Sequence, residues 1–288
     1  MELGSGIYIF DKNDDSYANV FKAEQILYNA RSEFQKIMVF ETKEMGNVLM
    51  LDDIFNVSHS MEAYYHEPMT HIPLAMIPGD KNVLIIGGGD FGIAKHVLKH
   101  KSLKSLTLCE LDPEILKVCR TYFPEWAECE NDPRFNVMVG DGFEYINNCE
   151  PDTFDAVIID STDPYLHDSP LITEEFYRRA FNAIRSGGVL MQIIADFIFF
   201  KDTWFDMIPK TKKYFTPLAP ISLPIPFYAT GAWGLLLAGK NRDELDPEHV
   251  SAEYLDGIGG VQTMTPELVK GWFSLPPVLE KEFRTLLL

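Results

Sequence analysis

The sequence predicts a doubly wound α/β fold with a mostly parallel sheet, preceded by a small antiparallel β unit. Two observations predict it. Short strand-like runs without a long helical period occupy Ile7 to Val57, whereas strands and helices alternate from about Val83 onward. Such an alternating series favours a parallel sheet with helices on both faces. We therefore expect an N-terminal β-hairpin domain over residues 1–60 and an α/β domain over residues 61–288.

The N-terminal unit contains two clear strand-like runs. Phe34–Phe40 and Gly46–Leu51 are rich in apolar residues, and the five residues Glu41–Met45 separate them. A separation of this length is typical of a β-hairpin. Ser60–Met76 is predicted to be helical and to end before the turn signal Pro78-Gly79.

Five apolar runs are predicted to be strands of the main sheet. They are Val83–Ile86, Leu106–Cys109, Phe135–Val139, Ala156–Ile159 and Val189–Met191. Continuous apolar runs are typical of parallel strands that are buried on both faces. Asp112-Pro113 predicts a helix N-terminus, and Gly187-Gly188 is expected to end a helix that starts near Thr173. The proline-rich stretch Pro217–Pro226 precedes the last predicted strand, Trp233–Ala238.

The composition narrows the functional classes. Acidic residues outnumber basic ones by 43 to 25, which gives a formal net charge of −18 and argues against a nucleic-acid partner. The same charge argues against anionic membrane surfaces and favours small cations. The four cysteines form no C-x-x-C pair, so we expect a reduced, cytoplasmic protein without a structural zinc site. No signal peptide and no membrane span are expected.

The residues that follow each predicted strand carry the chemistry, because strand ends in such sheets face the ligand crevice. Gly87–Gly92 reads GGGDFG and fits the pattern G-x-G-x-x-G between a strand and a helix, where a ligand approaches the backbone. Glu110 follows the second strand and is placed to accept hydrogen bonds from ribose hydroxyls. Asp141-Gly142 follows the third strand, and Asp160–Pro164 follows the fourth.

Converging carboxylates repel one another unless a cation or a polar ligand lies among them. Asp90, inside the glycine loop, disfavours a dinucleotide with two phosphates and favours a nucleoside with a cationic centre, such as an S-adenosyl sulfonium. Asp160 and Asp163 lie three residues apart, a spacing suited to gripping a diamine or flanking an attacking amine. The pattern therefore indicates a cationic substrate.

These segments resemble the polyamine aminopropyltransferases, the spermidine synthase family. The resemblance extends from about Tyr8 to Lys240. It rests on GGGD at 87–90, ELD at 110–112, GDG at 140–142, DSTDP at 160–164, an N-terminal β motif at 32–37 and 46–52, and Tyr65-His66-Glu67. It implies a Rossmann-like sheet of the S-adenosylmethionine-dependent methyltransferase type, in a domain that binds a nucleoside and carries the catalytic residues.

The resemblance also implies a reaction. An aminopropyl group is expected to pass from decarboxylated S-adenosylmethionine, a co-substrate rather than a permanently bound cofactor, to an amine, with release of methylthioadenosine. Putrescine, giving spermidine, is the expected acceptor, and agmatine is the other candidate. No metal is expected, and the implied assembly is a homodimer or a homotetramer.

Matching positions imply the residues that hold the donor. The expected donor-binding residues are Gln35, Gly87, Gly89, Asp90, Glu110, Asp141 and Gly142. Among them, Glu110 is expected to hold the ribose and Asp141 the adenine amino group. Asp90 is expected to hold the ammonium of the aminopropyl arm.

The same matching implies the residues that handle the acceptor. Asp160 is expected to bind the attacking amine and to accept its proton, assisted by Tyr65 and Tyr228. A carboxylate beside an ammonium stabilises the cation, so this proton transfer needs an oriented site. His66 and Asp163 are expected to contact the acceptor together with Asp160.

Several positions depart from the family pattern and leave alternatives open. Phe91 replaces a small residue in the glycine loop, and Tyr165–Asp168 replaces a Gly-Pro stretch. The altered pocket walls leave three alternatives: S-adenosylmethionine itself as donor of a carboxyaminopropyl group, a small-molecule methyltransferase, or a non-catalytic polyamine sensor. His96 and His100, four residues apart, have no evident third metal ligand and are expected on a solvated helix face.

Overall fold

The computed structural model of the chain describes residues 5–14, 17–161, 169–228 and 230–287. Within these ranges the strands form a two-stranded, a four-stranded and a seven-stranded sheet. The central strands of the largest sheet are parallel, and helices cover both of its faces. The predicted fold class, an α/β sheet preceded by a small antiparallel β unit, is confirmed.

The N-terminal strands are all antiparallel. They are β1 (Ile7–Asp14), β2 (Tyr17–Ala23), β3 (Gln25–Arg31), β4 (Lys36–Thr42), β5 (Gly46–Leu51) and β6 (Ile54–Ser58). Strands β1 and β2 form a hairpin, and β3 to β6 pair in sequential order. The predicted hairpin is confirmed as β4 and β5, whose inner positions Val39, Phe40, Val48 and Leu49 are buried. Gln35 lies just before β4, at the end of this sheet that adjoins the α/β part.

The main sheet contains the remaining strands of the described chain. They are β7 (Lys81–Gly87), β8 (Leu103–Glu110), β9 (Phe135–Val139), β10 (Phe154–Asp160), β11 (Ile184–Ile193), β12 (Leu218–Pro224) and β13 (Ala232–Gly239). Their spatial order is β12-β13-β11-β10-β7-β8-β9. Strands β7 to β11 pair in parallel with one another, whereas β13 pairs antiparallel with both β11 and β12.

The strand order reverses next to β7. The chain continues outward from β7 through β8 to β9 and then returns to the other side of β7 as β10. The carboxyl ends of strands at such a reversal border the crevice in which α/β sheets bind ligands. The register pairs Gly87 at the end of β7 with Asp160 at the end of β10. Two predicted site residues are therefore neighbours across the sheet.

Helices pack on both faces of this sheet. They are α1 (Ala63–Ala75), α2 (Gly92–Val97), α3 (Pro113–Tyr122), α4 (Pro124–Ala127), α5 (Gly142–Asn147), α6 (Glu174–Ala183), α7 (Lys201–Lys212), α8 (Ala252–Ile258), α9 (Pro266–Trp272) and α10 (Pro277–Leu287). Val83 and Ile85 of β7 belong to one core with residues of α1 and α2, and Leu84 and Ile86 belong to a second core with residues of α6 and α7. Of the helices in the described residues, none combines the length and the apolar character needed to cross a bilayer.

One detail of the predicted pattern is wrong. Gly187-Gly188 does not end a helix, because α6 ends at Ala183 and both glycines lie within β11. The proline-rich stretch precedes the last strand, as predicted, and itself contains β12. Strand β12 is at the edge of the sheet, where the missing N–H groups of proline are tolerated.

Candidate active site

A cavity of about 330 Å³ opens at the carboxyl ends of β7, β8 and β10. Six of its described lining residues are acids: Asp52, Asp90, Glu110, Asp112, Asp141 and Asp160. No lysine, arginine or histidine is among the described residues that line it. Like charges this close are costly unless a cation lies among them or neighbouring groups hold them. The cavity is therefore suited to a cationic ligand.

The glycine loop forms one wall of this cavity. Gly87 and Gly88 have φ angles of 82° and 68°, in the left-handed region that favours glycine. A Cβ atom on Gly87 would lie 2.1 Å from the carbonyl oxygen of Asp160, and one on Gly89 would lie 2.9 Å from Oε2 of Glu110. The loop therefore needs glycine at both predicted positions to bring the two strand ends together.

Phe91 follows the same loop in an unusual conformation. Its φ is 69°, a region that a bulky side chain adopts only when the surroundings hold it. The ring is fully buried and packs edge-on against Phe135, and the guanidinium of Arg120 lies over the ring, 5.5 Å from its centroid. The Phe91 side chain, which departs from the family pattern, thus packs in the core beneath the loop and does not line the cavity.

Glu110 and Gln35 lie at one end of the cavity, which we call the donor end. The Glu110 carboxylate accepts a hydrogen bond from the backbone N–H of Asp112 at 2.8 Å. Burial raises the pKa of Glu110 to about 7, although this backbone bond opposes the shift. Gln35 Nε2 donates to Oδ2 of Asp112 at 3.0 Å and so links the N-terminal sheet to the loop after β8. Asp112 lines the cavity and also caps α3. It was not assigned to the site from the sequence, because the Asp112-Pro113 pair was interpreted only as the start of a helix.

Asp141 and Gly142 complete the donor end. Asp141 is exposed, and its Oδ1 caps α5 by accepting from the N–H of Phe143 at 2.7 Å. A Cβ atom on Gly142 would lie 2.2 Å from Cγ2 of Ile86. The glycine therefore lets the start of α5 approach the end of β7, which places Asp141 on the cavity wall.

Asp160 and Asp90 line the part of the cavity that we call the acceptor end, after the expected role of Asp160. Asp90, which is expected to hold the donor ammonium, lies beside it. The hydroxyl of buried Tyr65 donates a short hydrogen bond to Oδ1 of Asp160. Burial and the neighbouring charge of Asp90 raise the pKa of Asp160 to about 6. Tyr228 lies behind Tyr65, with 6.2 Å between the ring centroids, and its hydroxyl donates to the carbonyl oxygen of Asn56 at 3.2 Å.

His66 lies behind Asp90 and is not among the residues that line the cavity. Its Nε2 is 3.2 Å from Oδ2 of Asp90, and its Nδ1 is 2.7 Å from Oε2 of Glu62. The ring is fully buried, and a Cβ atom on Gly92 would lie 2.0 Å from Cε1. Glu62, which sequence reasoning did not select, carries no local signal beyond its place one turn before His66.

His66, Asp90 and Asp160 offer ligand atoms within 4.8 Å of one another. We interpret this cluster as an ion-pair network rather than as a metal site, because His66 already contacts a carboxylate through each ring nitrogen. The prediction that His96 and His100 lie on a solvated face is wrong, since both side chains are buried. Helix α1 packs against α2 and covers them. Asp163 and Tyr165–Asp168 lie outside the described residues.

Two family models match the chain. Residues 62–247 match the model described as "Spermine/spermidine synthase domain". Residues 7–59 match the model described as "Spermidine synthase tetramerisation domain".

Curated relatives and solved structures agree with these matches. A polyamine aminopropyltransferase of Alkaliphilus oremlandii is 34% identical over 91% of this chain and 93% of its own length. A spermine synthase of Arabidopsis thaliana is 29% identical over 99% of this chain and 81% of its own length. The crystal structure of a spermidine synthase from Thermotoga maritima superimposes with a TM-score of 0.87 at 28% identity, covering 98% of this chain and 95% of that one.

A spermidine synthase solved in complex with the transition state analogue AdoDATO gives a TM-score of 0.88 at 29% identity, covering 97% of this chain and 95% of that one. The two family models together account for most of the chain, from residue 7 to residue 247. The resemblance drawn from the glycine loop and the strand-end carboxylates is therefore confirmed. The chain belongs to the spermidine/spermine synthase family and is an aminopropyltransferase.

Proposed function

We propose that the chain transfers the aminopropyl group of decarboxylated S-adenosylmethionine to putrescine, giving spermidine and methylthioadenosine. The observation that carries the proposal is the cavity lined by six acids, with no basic side chain among its described lining residues. The donor brings a sulfonium and an ammonium, and the acceptor brings two amines. Each of these cations is stabilised by nearby carboxylates.

The same charge favours the decarboxylated donor over S-adenosylmethionine. The intact compound carries a carboxylate on the arm that would lie near Asp90. Asp90 and Asp160 would repel that group, and no described lining residue offers a cation to pair with it. A methyltransferase acting on an anionic acceptor is disfavoured for the same reason.

The donor end suits the nucleoside. We assign the ribose hydroxyls to Glu110 and the adenine amino group to Asp141, both of which line the cavity. Gln35 supports this end through Asp112. Gly87, Gly89 and Gly142 leave the space in which the nucleoside approaches the backbone, and Asp90 receives the ammonium of the propyl arm.

The acceptor end suits deprotonation and attack. Tyr65 holds Oδ1 of Asp160, which leaves Oδ2 to receive a proton from the acceptor ammonium. The freed lone pair attacks the methylene carbon bonded to sulfur, so that a C–N bond forms and the C–S bond breaks. The electron pair of the broken bond stays on sulfur, which leaves as a neutral thioether. We assign Tyr228 to the packing that orients Tyr65 and His66 to the support of Asp90.

Product analysis tests this proposal. The purified chain is incubated with putrescine, agmatine or spermidine, each with the decarboxylated donor and with S-adenosylmethionine, and the products are identified by mass spectrometry. Methylthioadenosine and spermidine from the decarboxylated donor and putrescine are expected. Preferential use of agmatine would show that agmatine, and not putrescine, is the acceptor. S-adenosylhomocysteine as the product, or carboxyaminopropyl transfer from the intact donor, would overturn the proposal.

We also propose that the chain forms a homodimer or homotetramer through residues 1–60, acting as a β-hairpin domain. Large apolar side chains are exposed on this unit, including Ile7, Phe10, Tyr17, Val20 and Ile26, and a family match described as a tetramerisation domain covers residues 7–59. Light scattering at micromolar concentration is expected to give a mass of two or four chains. A monomer mass would contradict the proposal.

The cysteines support a reducing setting. Cys109, Cys119, Cys129 and Cys149 carry free thiols, as expected for a protein of the cytoplasm. We propose that location, and cell fractionation tests it. Recovery of the chain from an oxidising compartment would contradict it.

A further inference from the structure

A line of buried charged groups runs away from the cavity behind Asp90. His66 contacts Asp90 at 3.2 Å on one side and Glu62 at 2.7 Å on the other. Glu62 in turn forms an ion pair with the ammonium of Lys95 at 2.5 Å. Glu62, His66 and Asp90 are each less than 7% exposed. Burying a charged group lowers the stability of the fold unless the group is paired. The pairing of each group with the next therefore allows the line to be buried.

The line ends where two carboxylates share one small space. Asp90, Asp160 and His66 offer atoms that all lie within 4.8 Å of one another. Two buried carboxylates at such a distance resist simultaneous ionisation, and a proton is retained on the one with less support. Support is unequal here. Asp90 has His66 and the N–H of Gly92 at 2.7 Å, whereas Asp160 has the neutral hydroxyl of Tyr65.

We propose that Glu62 and His66 are positioning residues that keep Asp90 permanently ionised as the ammonium site, so that the proton exchanged during transfer resides on Asp160. This inference rests on the proposed function, in which Asp90 binds the donor ammonium and Asp160 accepts the acceptor proton. In this proposal Asp90 binds an ammonium and Asp160 exchanges a proton. The difference between the two carboxylates is set by His66, which does not line the cavity.

The electrostatic environment agrees with this division. Burial opposes protonation of His66, but Asp90 and Glu62 outweigh it and raise the pKa of His66 to about 10. Burial opposes ionisation of Asp90, but His66 and the N–H of Gly92 outweigh it and lower the pKa of that carboxyl. The pKa of Asp160 is raised to about 6, chiefly by burial and by Asp90.

Other titratable groups near the line do not replace His66. His96 lies 3.2 Å from Glu62, and burial lowers its pKa, so it stays neutral. Burial raises the pKa of the Cys119 and Cys129 thiols, which face Asp90 from α3 and from the turn after α4. Burial and Asp160 raise the pKa of Tyr65, the neighbour of His66 on α1. Within the part of the chain that the structure describes, His66 is thus the cation that faces Asp90.

The protonation state of His66 gives a test that needs no activity. In the wild-type chain labelled at histidine, NMR is expected to show one imidazole that remains protonated at about pH 8, well above the usual pKa near 6.5. The spectrum of His66→Gln identifies that resonance by its loss. Glu62→Gln is expected to lower the titration midpoint by about one pH unit or more. An ordinary midpoint for His66 in the wild type would overturn the proposal.

The pH profile of kcat/KM for the amine gives a second test. Its acid limb reports ionisation of groups in the free enzyme. Without the positive charge of His66 both carboxylates ionise less readily, so His66→Gln and Glu62→Gln are expected to move the acid limb upward by about one pH unit. The KM of the donor is expected to rise about tenfold, because its ammonium loses a fully ionised partner.

His100→Gln is the matched control. It removes a buried histidine whose ring contacts His71 rather than a carboxylate. The acid limb of its kcat/KM profile is expected to coincide with that of the wild type. This holds even if the variant has a lower melting temperature. Lower rates in His66→Gln and Glu62→Gln with an unmoved acid limb would show a merely structural role. If the wild type transferred an aminopropyl group to no amine, the proposed function would fail, while the NMR titration would still decide the charge assignment.

Discussion

The two ends of the cavity are built in different ways. At the donor end, Glu110, Asp112 and Asp141 lie at the end of a strand or two residues beyond it. Each accepts a hydrogen bond from a backbone N–H group two residues further along the chain. At the acceptor end, Asp160 is held by Tyr65, which is 95 residues away in sequence, and Asp90 is held by His66 from the same helix. Asp90 also accepts a local hydrogen bond from the N–H of Gly92. The donor-end carboxylates are therefore held by local turns, whereas the acceptor-end carboxylates depend in addition on how α1 packs.

Because of this difference, we expect substitutions to affect nucleoside binding and the transfer step separately. A change at the donor end is expected to weaken the nucleoside while leaving the reacting groups in place. A change at Asp160 is expected to slow transfer while leaving the nucleoside site intact, whereas a change at Asp90 or at its neighbour His66 is expected to weaken the hold on the donor ammonium as well. Variants that violate this separation would show that the two ends act as one unit.

The largest effect is expected from Asp160→Asn, which removes the proton acceptor. The amide keeps the shape of the side chain but accepts no proton, so the single-turnover rate is expected to fall about 1,000-fold. Affinity for methylthioadenosine, measured by calorimetry, is expected to stay within about tenfold. Asp202→Asn, an exposed carboxylate outside the cavity, serves as the control. Lost nucleoside binding with normal turnover would reverse the assignment.

The second effect is the pH dependence of the wild-type transfer step. Asp160, with a pKa of about 6, is ionised above that pH, and the acceptor ammonium, with an ordinary pKa near 10, loses its proton more readily as the pH rises. The single-turnover rate with saturating amine is expected to climb up to about tenfold per pH unit from about pH 6 toward an optimum above about 8. A flat profile, or one that falls above about pH 7, would contradict attack by an amine.

The sequence predicted the strand-end carboxylates of both ends better than the distant groups that hold them, for a physical reason. Glycines and strand-end acids are local signals, so the turn after β7 and the positions of Glu110 and Asp141 could be read from short segments. Glu62 could not, because its role comes from its contacts with His66 on α1 and with Lys95 on α2, and it reaches Asp90 only through His66. His96 and His100 were assigned to solvent for the same reason, since they are buried by residues distant in sequence: His71 of α1 contacts both rings, and Tyr254 of α8 contacts His100.

The third effect concerns Glu110→Gln at the donor end. The charged acceptor for two ribose hydroxyls is replaced by a neutral amide, so methylthioadenosine is expected to bind about tenfold to hundredfold more weakly. Since the pKa of Glu110 is about 7 in the free protein, wild-type affinity is expected to fall as the pH drops below about 7, and this decrease should be absent from the variant. Glu128→Gln, an exposed change outside the cavity, is the control; unchanged affinity in Glu110→Gln would contradict the ribose assignment.

The smallest effect is expected at Asp141, where capping and adenine binding coincide. Asparagine caps helices about as well as aspartate and still offers a carbonyl oxygen to an adenine amino group. Asp141→Asn is therefore expected to leave the melting temperature unchanged and methylthioadenosine affinity within about threefold. Asp141→Ala removes both interactions and is expected to lose about 1 kcal/mol of folding stability as well as about tenfold in affinity. Thermal melts and calorimetry on the two variants separate the cap from the contact. If Asp141→Ala lost stability but bound methylthioadenosine like the wild type, Asp141 would be a helix cap alone, and the adenine amino group would have to be held elsewhere at the donor end.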